Sequence, residues 1–262
     1  MPDPQTNLAD SDHRPSLVQL DQWVNWREFT PARIALGRVG ASQPTEALLR
    51  FSMAHAHARD AVYEPLELAG LFAQLEGPAG CIAVKSRAAD RAQYLRRPDF
   101  GRRLDSASVE RLRESQHDPS DLVIVIADGL SALATVRHAV PVIKALRSRL
   151  AGWRIGPIVI AEQARVALGD EVGEILNARC VAILIGERPG LSSPDSLGIY
   201  LTWNPQLGRT DAERNCISNI RPAGLSYEQA ATKLVALLEG AKRLGTTGVD
   251  LKENDGETQR IG

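Results

Sequence analysis

The fold is decided by the stretch Leu122-Val-Ile-Val-Ile-Ala127, which ends at Asp128-Gly129. An unbroken, apolar and largely β-branched run of this length is typical of a strand that is covered on both faces, as strands of parallel sheets are. The turn residues that follow it place the end of the strand at residue 127. The sequence therefore predicts a buried central strand.

Strands and helices alternate on either side of this strand. The predicted strands are residues 81–84, 122–127, 157–161, 181–185 and 198–203, and the predicted helices are residues 106–116, 133–150, 170–178 and 226–243. Ser226 is the predicted N-cap of the last helix. This alternation predicts an α/β domain over residues 79–244, with a Rossmann-like, doubly wound and mainly parallel sheet that has helices on both faces.

The two ends of the chain differ from this domain. Residues 1–15 are polar and Pro-rich and are predicted to be a disordered arm. Residues 16–78 are predicted to be mostly helical, with helix starts at Pro15-Ser16, Thr30-Pro31 and Pro44-Thr45. The leucines and tryptophans of this region can either dock onto a partner protein or pack within the chain. Residues 245–262 are predicted to be a polar tail, extended or disordered.

Composition excludes several classes of protein. Lys+Arg 31 against Asp+Glu 32 gives a net charge of -1, so no basic excess draws the molecule to nucleic acid or anionic lipid. The cysteines, Cys81, Cys180 and Cys216, are odd in number and lack C-x-x-C spacing, which argues against a disulfide framework and a zinc site. We find no signal peptide and no apolar run long enough to cross a bilayer, and we expect a soluble cytoplasmic protein.

Ligands of open parallel sheets bind at the carboxyl ends of the strands. This rule selects three segments, Asp128-Gly129, residues 162–166 and Gly186-Glu-Arg-Pro-Gly190. The last segment places two opposite charges on a stiff Pro-Gly turn, and its glycines allow a backbone to approach a bulky ligand closely. The alternative is an ordinary strand-end turn whose charges face water.

The common catalytic and metal-binding motifs are absent from the sequence. It has neither a G-x-x-x-x-G-K-[ST] phosphate loop nor a G-x-G-x-x-G dinucleotide fingerprint after a strand. His55 and His57 are two residues apart on a predicted helix and therefore point to different faces. Cys216 has no histidine nearby in sequence to act as its base, so we interpret it as a packing or ligand-lining thiol. The residues predict no metal site from protein ligands, and a stand-alone enzyme would have only Asp128 and Glu187 as a candidate titratable pair at the strand ends.

Five segments spread along the chain carry a family resemblance. They are Thr45-Glu-Ala-Leu-Leu-Arg-Phe51, Tyr94-Leu-Arg-Arg-Pro-Asp-Phe-Gly-Arg-Arg-Leu104, Ile126-Ala-Asp-Gly-Leu-Ser131, Gly186-Glu-Arg-Pro-Gly-Leu191 and Cys216-Ile-Ser-Asn-Ile220. In this order they resemble the ethanolamine ammonia-lyase small subunit family. Each segment alone has low specificity, and their common order makes the resemblance specific. The resemblance covers roughly residues 30–240.

The resemblance implies a radical enzyme with two kinds of subunit. Members convert ethanolamine to acetaldehyde and ammonia with the adenosyl radical that adenosylcobalamin releases when its cobalt–carbon bond breaks homolytically. The resemblance also implies a TIM-barrel large subunit with the substrate site, a small subunit that covers the cobalamin at the barrel mouth, and a complex of six large and six small subunits. The family's cobalamin contacts fall on Val166, Glu187 and Cys216. No catalytic residue falls on this chain.

Two further features qualify this interpretation. The D-x-H-x-x-G motif of some cobalamin enzymes is absent, so the resemblance implies that cobalt keeps its dimethylbenzimidazole ligand. The N-terminal arm is short and has no amphipathic pattern, which leaves both a free cytoplasmic enzyme and packaging in a bacterial microcompartment open. Two other functions remain: a non-catalytic cobalamin-binding scaffold, and a stand-alone α/β enzyme that acts on a nucleotide-like ligand.

Overall fold

The computed structural model describes residues 16–75, 80–115 and 118–251. By its internal contacts the chain divides into two compact units, residues 1–55 and residues 56–262. The sequence places a domain boundary after residue 78 instead, and that boundary stays a prediction. The predicted arm, residues 1–15, and most of the predicted tail, residues 252–262, lie outside the described residues.

The first unit contains less helix than the sequence predicts. A 3₁₀ helix spans Val24–Glu28, and α1, Thr45–Tyr63, begins in this unit and continues into the second. The helix starts predicted at residues 16 and 31 are wrong. The backbone of Gln19 instead pairs with that of Arg38, and Gly37 adopts a left-handed φ of 77°, which no α-helix accommodates.

The second unit alternates helices and strands as predicted. Its strands are β1 Cys81–Lys85, β2 Leu122–Ala127, β3 Ile155–Glu162, β4 Cys180–Gly186, β5 Leu197–Trp203 and β6 Asn215–Ile220. Its helices are α2 Leu68–Gln74, α3 Arg91–Arg96, α4 Ser106–Glu114, α5 Ala132–Arg147, α6 Leu168–Ile175 and α7 Tyr227–Leu244. Short 3₁₀ helices lie at Phe100–Arg102, Asp211–Glu213 and Gly248–Asp250. Ser226 caps α7 as predicted.

The strands form a mixed sheet in the order β1-β3-β2-β4-β5-β6. The first four strands in that order are parallel, with Val125 of β2 opposite Val159 of β3 and Ile183 of β4. β5 and β6 are antiparallel to their neighbours. The α/β class is therefore confirmed, with antiparallel strands at one side of the sheet.

Apolar residues cover both faces of the central strands. On the first face, Ile124 and Ile126 pack in a core with residues of α5 and α7. On the second face, Val123 and Val125 pack in a core with residues of α4 and α6. On that second face α4 lies against β1 and α6 lies against β4. The second face of β5 and β6 is therefore less covered, and this part of the sheet holds the candidate site.

Three short elements differ from the sequence prediction. The helix α3 and the strand β6 are not predicted, because neither has a long apolar run. Residues 245–251 are not an extended tail. Leu251 is buried in the core, and the Thr247 hydroxyl accepts the backbone N–H of Trp203 at 2.9 Å and donates to the carbonyl of Glu213 at 2.7 Å.

Among the described residues, none of the helices has the length and apolar character needed to cross a membrane.

Candidate functional site

Three loops follow the parallel strands at one edge of the sheet. Asp128 follows β2, residues 163–167 connect β3 to α6, and Glu187 follows β4. Because β2 pairs in parallel with both β3 and β4, the carboxyl ends of these strands meet at this edge. The structure therefore brings together the three segments that the sequence selects.

Asp128 is buried and anchors the loop after β3. Its carboxylate accepts the backbone N–H groups of Gln163 at 2.9 Å and Ala164 at 3.0 Å, and it pairs with the Arg91 guanidinium at 3.1 Å. Burial raises the pKa of Asp128 to about 6, because the loss of hydration outweighs the attraction of Arg91 and of the N–H groups. These bonds hold Gln163 at a left-handed φ of 54°.

The buried ring of Tyr94 supports the same loop. The guanidinium carbon of Arg91 lies 4.7 Å from the ring centroid, and that of Arg165 lies 4.4 Å from it. The Tyr94 hydroxyl donates to the carbonyl of Ala164 at 3.0 Å. Burial raises the pKa of this hydroxyl above its usual value, so it stays a donor at neutral pH. The loop is thus held by the side chain of Asp128, which follows β2, and by that of Tyr94 on α3.

Val166 lies in this loop, two residues before α6 begins. Its side chain is partly buried and packs on the core of the second face. Its carbonyl accepts the backbone N–H of Gly169 at 3.0 Å. Its own N–H has no hydrogen-bond partner within the described part of the chain. Val166 therefore offers a ligand one backbone donor and an apolar side chain.

Glu187 is connected to three other residues of the site. Its carboxylate accepts the hydroxyl of Ser196, the hydroxyl of Ser218 at 2.6 Å and the backbone N–H of Asn219 at 3.3 Å. Gly198 lies beneath it, and a Cβ at that position would come within 2.9 Å of Oε1 of Glu187. The carboxylate therefore joins the end of β4 to β5 and β6.

Cys216 lies on β6, directly opposite Tyr200 of β5. The residue is exposed, yet neighbouring groups enclose the thiol enough that burial raises its pKa. The Tyr200 hydroxyl lowers the pKa and the Glu187 carboxylate raises it further. A thiol with a raised pKa is protonated at neutral pH and is a poor nucleophile. This supports the interpretation of Cys216 as a lining residue.

The residues predicted for the site share one face of the sheet. Tyr200 and Val166 both pack on the core of the second face, and Cys216, opposite Tyr200, points the same way. Side chains alternate along a strand, so Gly198 beneath Glu187 lies on this face as well. Val166, Glu187 and Cys216 therefore border one open stretch of the sheet.

The structure adds residues that sequence reasoning does not select. Tyr200, Ser196 and Ser218 all lie beside Glu187 or Cys216. The alternation of side chains along β5 is the signal that could have placed Tyr200 on the face of the site. No such signal could have shown Ser218, because it lies on β6, a strand that is not predicted. No group of three or more His, Cys, Asp or Glu side chains in the described ranges could hold a metal ion.

A buried ion pair lies beside the site. The guanidinium of Arg214, just before β6, pairs with the carboxylate of Asp170 in α6, and their side chains are 1% and 2% exposed. Burial raises the pKa of Asp170 to about 6, against the attraction of Arg214. Asp170 also borders a cavity of about 640 Å³ that extends to Val166. The ion pair fixes α6 to β6 and so holds the two sides of the site together.

The fold and the site define an α/β protein that gathers polar side chains at the carboxyl ends of its parallel strands. Comparison with known proteins gives the family. A sequence model of the ethanolamine ammonia-lyase light chain family matches residues 20–252. Ethanolamine ammonia-lyase small subunits of Pseudomonas aeruginosa (strain LESB58) and Azotobacter vinelandii are 51% and 53% identical to the chain. The first alignment covers 95% of this chain and 96% of the relative, and the second covers 96% and 94%. The chain belongs to the ethanolamine ammonia-lyase small subunit family, and the resemblance found in its sequence is confirmed.

Proposed function

We propose that this chain is the small subunit of an adenosylcobalamin-dependent ethanolamine ammonia-lyase, which converts ethanolamine to acetaldehyde and ammonia. Membership of the family supports the ammonia-lyase assignment. We further propose that Val166, Glu187 and Cys216 contact the cobalamin. The observation that carries this second step is that all three border one open stretch of the sheet at the ends of its parallel strands.

The hydrogen-bond donors and acceptors of the site fit a ligand rich in amide groups. The corrin ring of cobalamin carries acetamide and propionamide side chains, which both donate and accept hydrogen bonds. A carboxylate has about four acceptor positions, and Glu187 uses three of them for Ser196, Ser218 and Asn219. One position remains for an amide N–H. The Ser218 hydroxyl, which donates to Glu187, also keeps its own lone pairs for a second amide.

Val166 and Cys216 complete this set with different chemistry. The free backbone N–H of Val166 suits an amide carbonyl. The neutral thiol of Cys216 offers a small, polarizable surface against an apolar edge of the ligand. Adenosylcobalamin supplies radical chemistry when it is bound. The residues of this chain position the cofactor and exclude water from one side of it.

The remaining expectations from the family belong to the same proposal. The substrate chemistry lies on a TIM-barrel large subunit, six large and six small subunits assemble, and cobalt keeps its dimethylbenzimidazole ligand. We place the complex in the cytoplasm, with packaging in a bacterial microcompartment as the alternative. The mixed sheet, with helices on both faces of its parallel part, supports a Rossmann-like and doubly wound domain.

The first unit supplies a surface for the large subunit. Trp23 and Trp26 are 54% and 60% exposed, and their rings meet edge to face at 5.7 Å. Together with Ile34 they border an apolar cavity of about 340 Å³. Exposed tryptophans beside an apolar pocket are typical of the energetically dominant residues of protein interfaces. We propose that this surface docks onto the large subunit.

The direct test measures acetaldehyde formation from ethanolamine with adenosylcobalamin. It compares this chain alone, a large subunit from a relative's enzyme alone, and both together. We expect activity in the mixture only. Activity of this chain alone would favour the stand-alone enzyme, and cobalamin binding without any large subunit would favour the scaffold. If both chains fold and co-purify but the mixture is inactive, the ammonia-lyase assignment is wrong.

The cofactor assignment has its own test. Glu187→Ala removes the carboxylate, and we expect it to weaken cobalamin binding by the complex about tenfold or more, as loss of a charged hydrogen-bond partner does. Glu110→Gln is the matched control, because Glu110 is an exposed acid on α4 and not one of the residues of the site. Equilibrium dialysis with cyanocobalamin gives both affinities. Equal affinities of the two variants would refute the role of Glu187.

A further inference from the structure

Arginines surround the cavity that lies next to Val166. The cavity has a volume of about 640 Å³. The positively charged residues that line it are Arg102, Arg103, Arg165 and Arg209. Its negatively charged lining residues are Asp170 and Asp211. The balance of these charges depends on which of the arginines already have a carboxylate partner.

Two of the arginines are neutralised within the protein. Arg103 makes two hydrogen bonds, at 3.1 Å and 3.2 Å, to the carboxylate of Glu171. Arg209 pairs with Glu213. The acids of the lining, Asp170 and Asp211, both pair with the single guanidinium of Arg214, so one negative charge remains between them. The remaining cations of the lining, Arg102 and Arg165, outnumber this negative charge by one.

Arg102 and Arg165 have no carboxylate partner among the described residues. Arg165 is nevertheless fixed in place. Its guanidinium stacks on the Tyr94 ring at 4.4 Å, and its backbone N–H donates to the carbonyl of Gly101 at 2.7 Å. Its Nε is buried and has no hydrogen-bond partner in the described part of the chain. A buried cationic group without an acceptor is costly, and an anionic ligand beside the guanidinium would offset part of that cost.

Gly101 shows that this wall of the cavity is tightly fitted. A Cβ on Gly101 would lie 2.8 Å from the Tyr94 ring and 2.9 Å from Cγ of Arg165. Only glycine lets the chain pass this close to the stacked pair. The orientation of Arg165 is thus set by the fold before a ligand arrives, which reduces the entropy that binding costs.

We propose that this arginine cavity binds a phosphate group. A phosphate presents acceptor oxygens in several directions, which suits the two guanidinium groups that line the cavity. The volume leaves room for a larger group attached to the phosphate, as in an ester. This assignment rests on the proposed function, under which the first source of the phosphate group is the phosphodiester in the nucleotide loop of cobalamin. The second source is a free phosphate compound that binds independently of the cofactor.

The experiment separates these sources. It uses the complex of this chain with a large subunit, and compares wild type with Arg165→Gln and Arg102→Gln. The matched control is Arg96→Gln, an exposed arginine of α3 that does not line the cavity. One arm measures the affinities of cyanocobalamin and of dicyanocobinamide, which lacks the nucleotide loop and its phosphate. The other arm titrates inorganic phosphate by ³¹P NMR.

If cobalamin is the source, both variants weaken cyanocobalamin binding about tenfold and leave the cobinamide affinity unchanged. If the source is a free compound, wild type binds inorganic phosphate, both variants lose it, and both corrinoid affinities stay at wild-type values. Either result supports the site. Arg102 is exposed, so its replacement tests the cavity even if Arg165→Gln misfolds.

The cavity assignment is overturned if the variants match Arg96→Gln in both arms. A complex that binds phosphate through these arginines but binds no corrinoid would refute the cofactor proposal while leaving the phosphate site in place. A complex that binds cobalamin with no contribution from the arginines would refute the phosphate site while leaving the cofactor proposal in place.

Discussion

The carboxylate of Asp128 accepts the backbone N–H of Ala164 at 3.0 Å, and this bond joins the end of β2 to the loop that carries Val166. The same carboxylate accepts the N–H of Gln163 and pairs with Arg91. One buried side chain therefore holds the loop in a conformation that its own residues would not adopt alone.

The contribution of Asp128 to stability depends on pH in a defined direction. Its carboxyl group has a pKa of 3.8 when unperturbed and about 6 in the folded chain, because burial disfavours the ion. Between these values the folded chain keeps a proton that the unfolded chain has lost. The contribution of Asp128 to the free energy of unfolding therefore falls as the pH rises from about 4 to about 6, and it is constant above.

Asp128→Asn removes this dependence. We expect the difference in unfolding free energy between wild type and Asp128→Asn to change by up to about 3 kcal/mol across that window, with wild type losing stability relative to the variant as the pH rises. Because Asp170 contributes the same pH dependence to both proteins, its effect cancels in this difference. Urea unfolding of both proteins at a series of pH values measures the difference. A difference that stays constant from pH 4 to pH 6 would contradict the raised pKa.

Gly198→Ala tests the position of Glu187 without removing its charge. The added Cβ would come within 2.9 Å of Oε1 and 3.2 Å of Cγ of Glu187, so the carboxylate must move. The side chain is flexible at its end, and we expect the free energy of unfolding to change by about 1 kcal/mol or less. We expect cyanocobalamin affinity of the complex to fall about tenfold.

Gly70→Ala is the control for this substitution, because a Cβ on Gly70 meets open space in α2. It should leave cobalamin affinity unchanged. If Gly198→Ala binds cobalamin as well as this control does, the exact position of the Glu187 carboxylate is unimportant for binding.

The ion pair of Asp170 and Arg214 predicts non-additive stability. Asp170→Ala leaves the Arg214 guanidinium buried without its main partner, and we expect a loss of about 3–5 kcal/mol. The double variant Asp170→Ala with Arg214→Leu removes the stranded charge and should recover part of that loss. Guanidinium chloride unfolding of the two single variants and the double variant gives the coupling. Losses that simply add would show that the pair acts as two independent residues.

Trp26→Ala tests the docking surface of the first unit. The side chain is 60% exposed, so we expect the free energy of unfolding of the isolated chain to change by about 0.5 kcal/mol or less. Association with the large subunit should weaken by about 2 kcal/mol or more if Trp26 is an anchor of the interface. Leu244→Ala, an exposed apolar position of similar accessibility on α7, is the control. Analytical ultracentrifugation of mixtures measures association, and equal affinities for the two variants would exclude Trp26 from the interface.

The sequence by itself determined the central strands of the sheet and the helices α5 and α7. The run Leu122–Ala127 is fully buried, and a run that is apolar at every position has no polar face to expose. Ser226 caps α7 because its side chain can accept the N–H of Gln229, a local interaction that needs no other part of the fold. Strand ends followed by Asp128 and Glu187 were equally visible, since turns have local residue preferences.

The tertiary structure decided what local patterns cannot encode. β6 has only two buried positions, Ile217 and Ile220, and it becomes a strand because β5 supplies its hydrogen bonds. That pairing places Cys216 beside Tyr200 and brings Ser218 to Glu187 across thirty-one positions of sequence. The stacking of Arg165 on Tyr94 likewise joins a residue of the loop after β3 to a residue of α3. Such contacts depend on strand order and register, which are set by the packing of the whole sheet and not by any single segment.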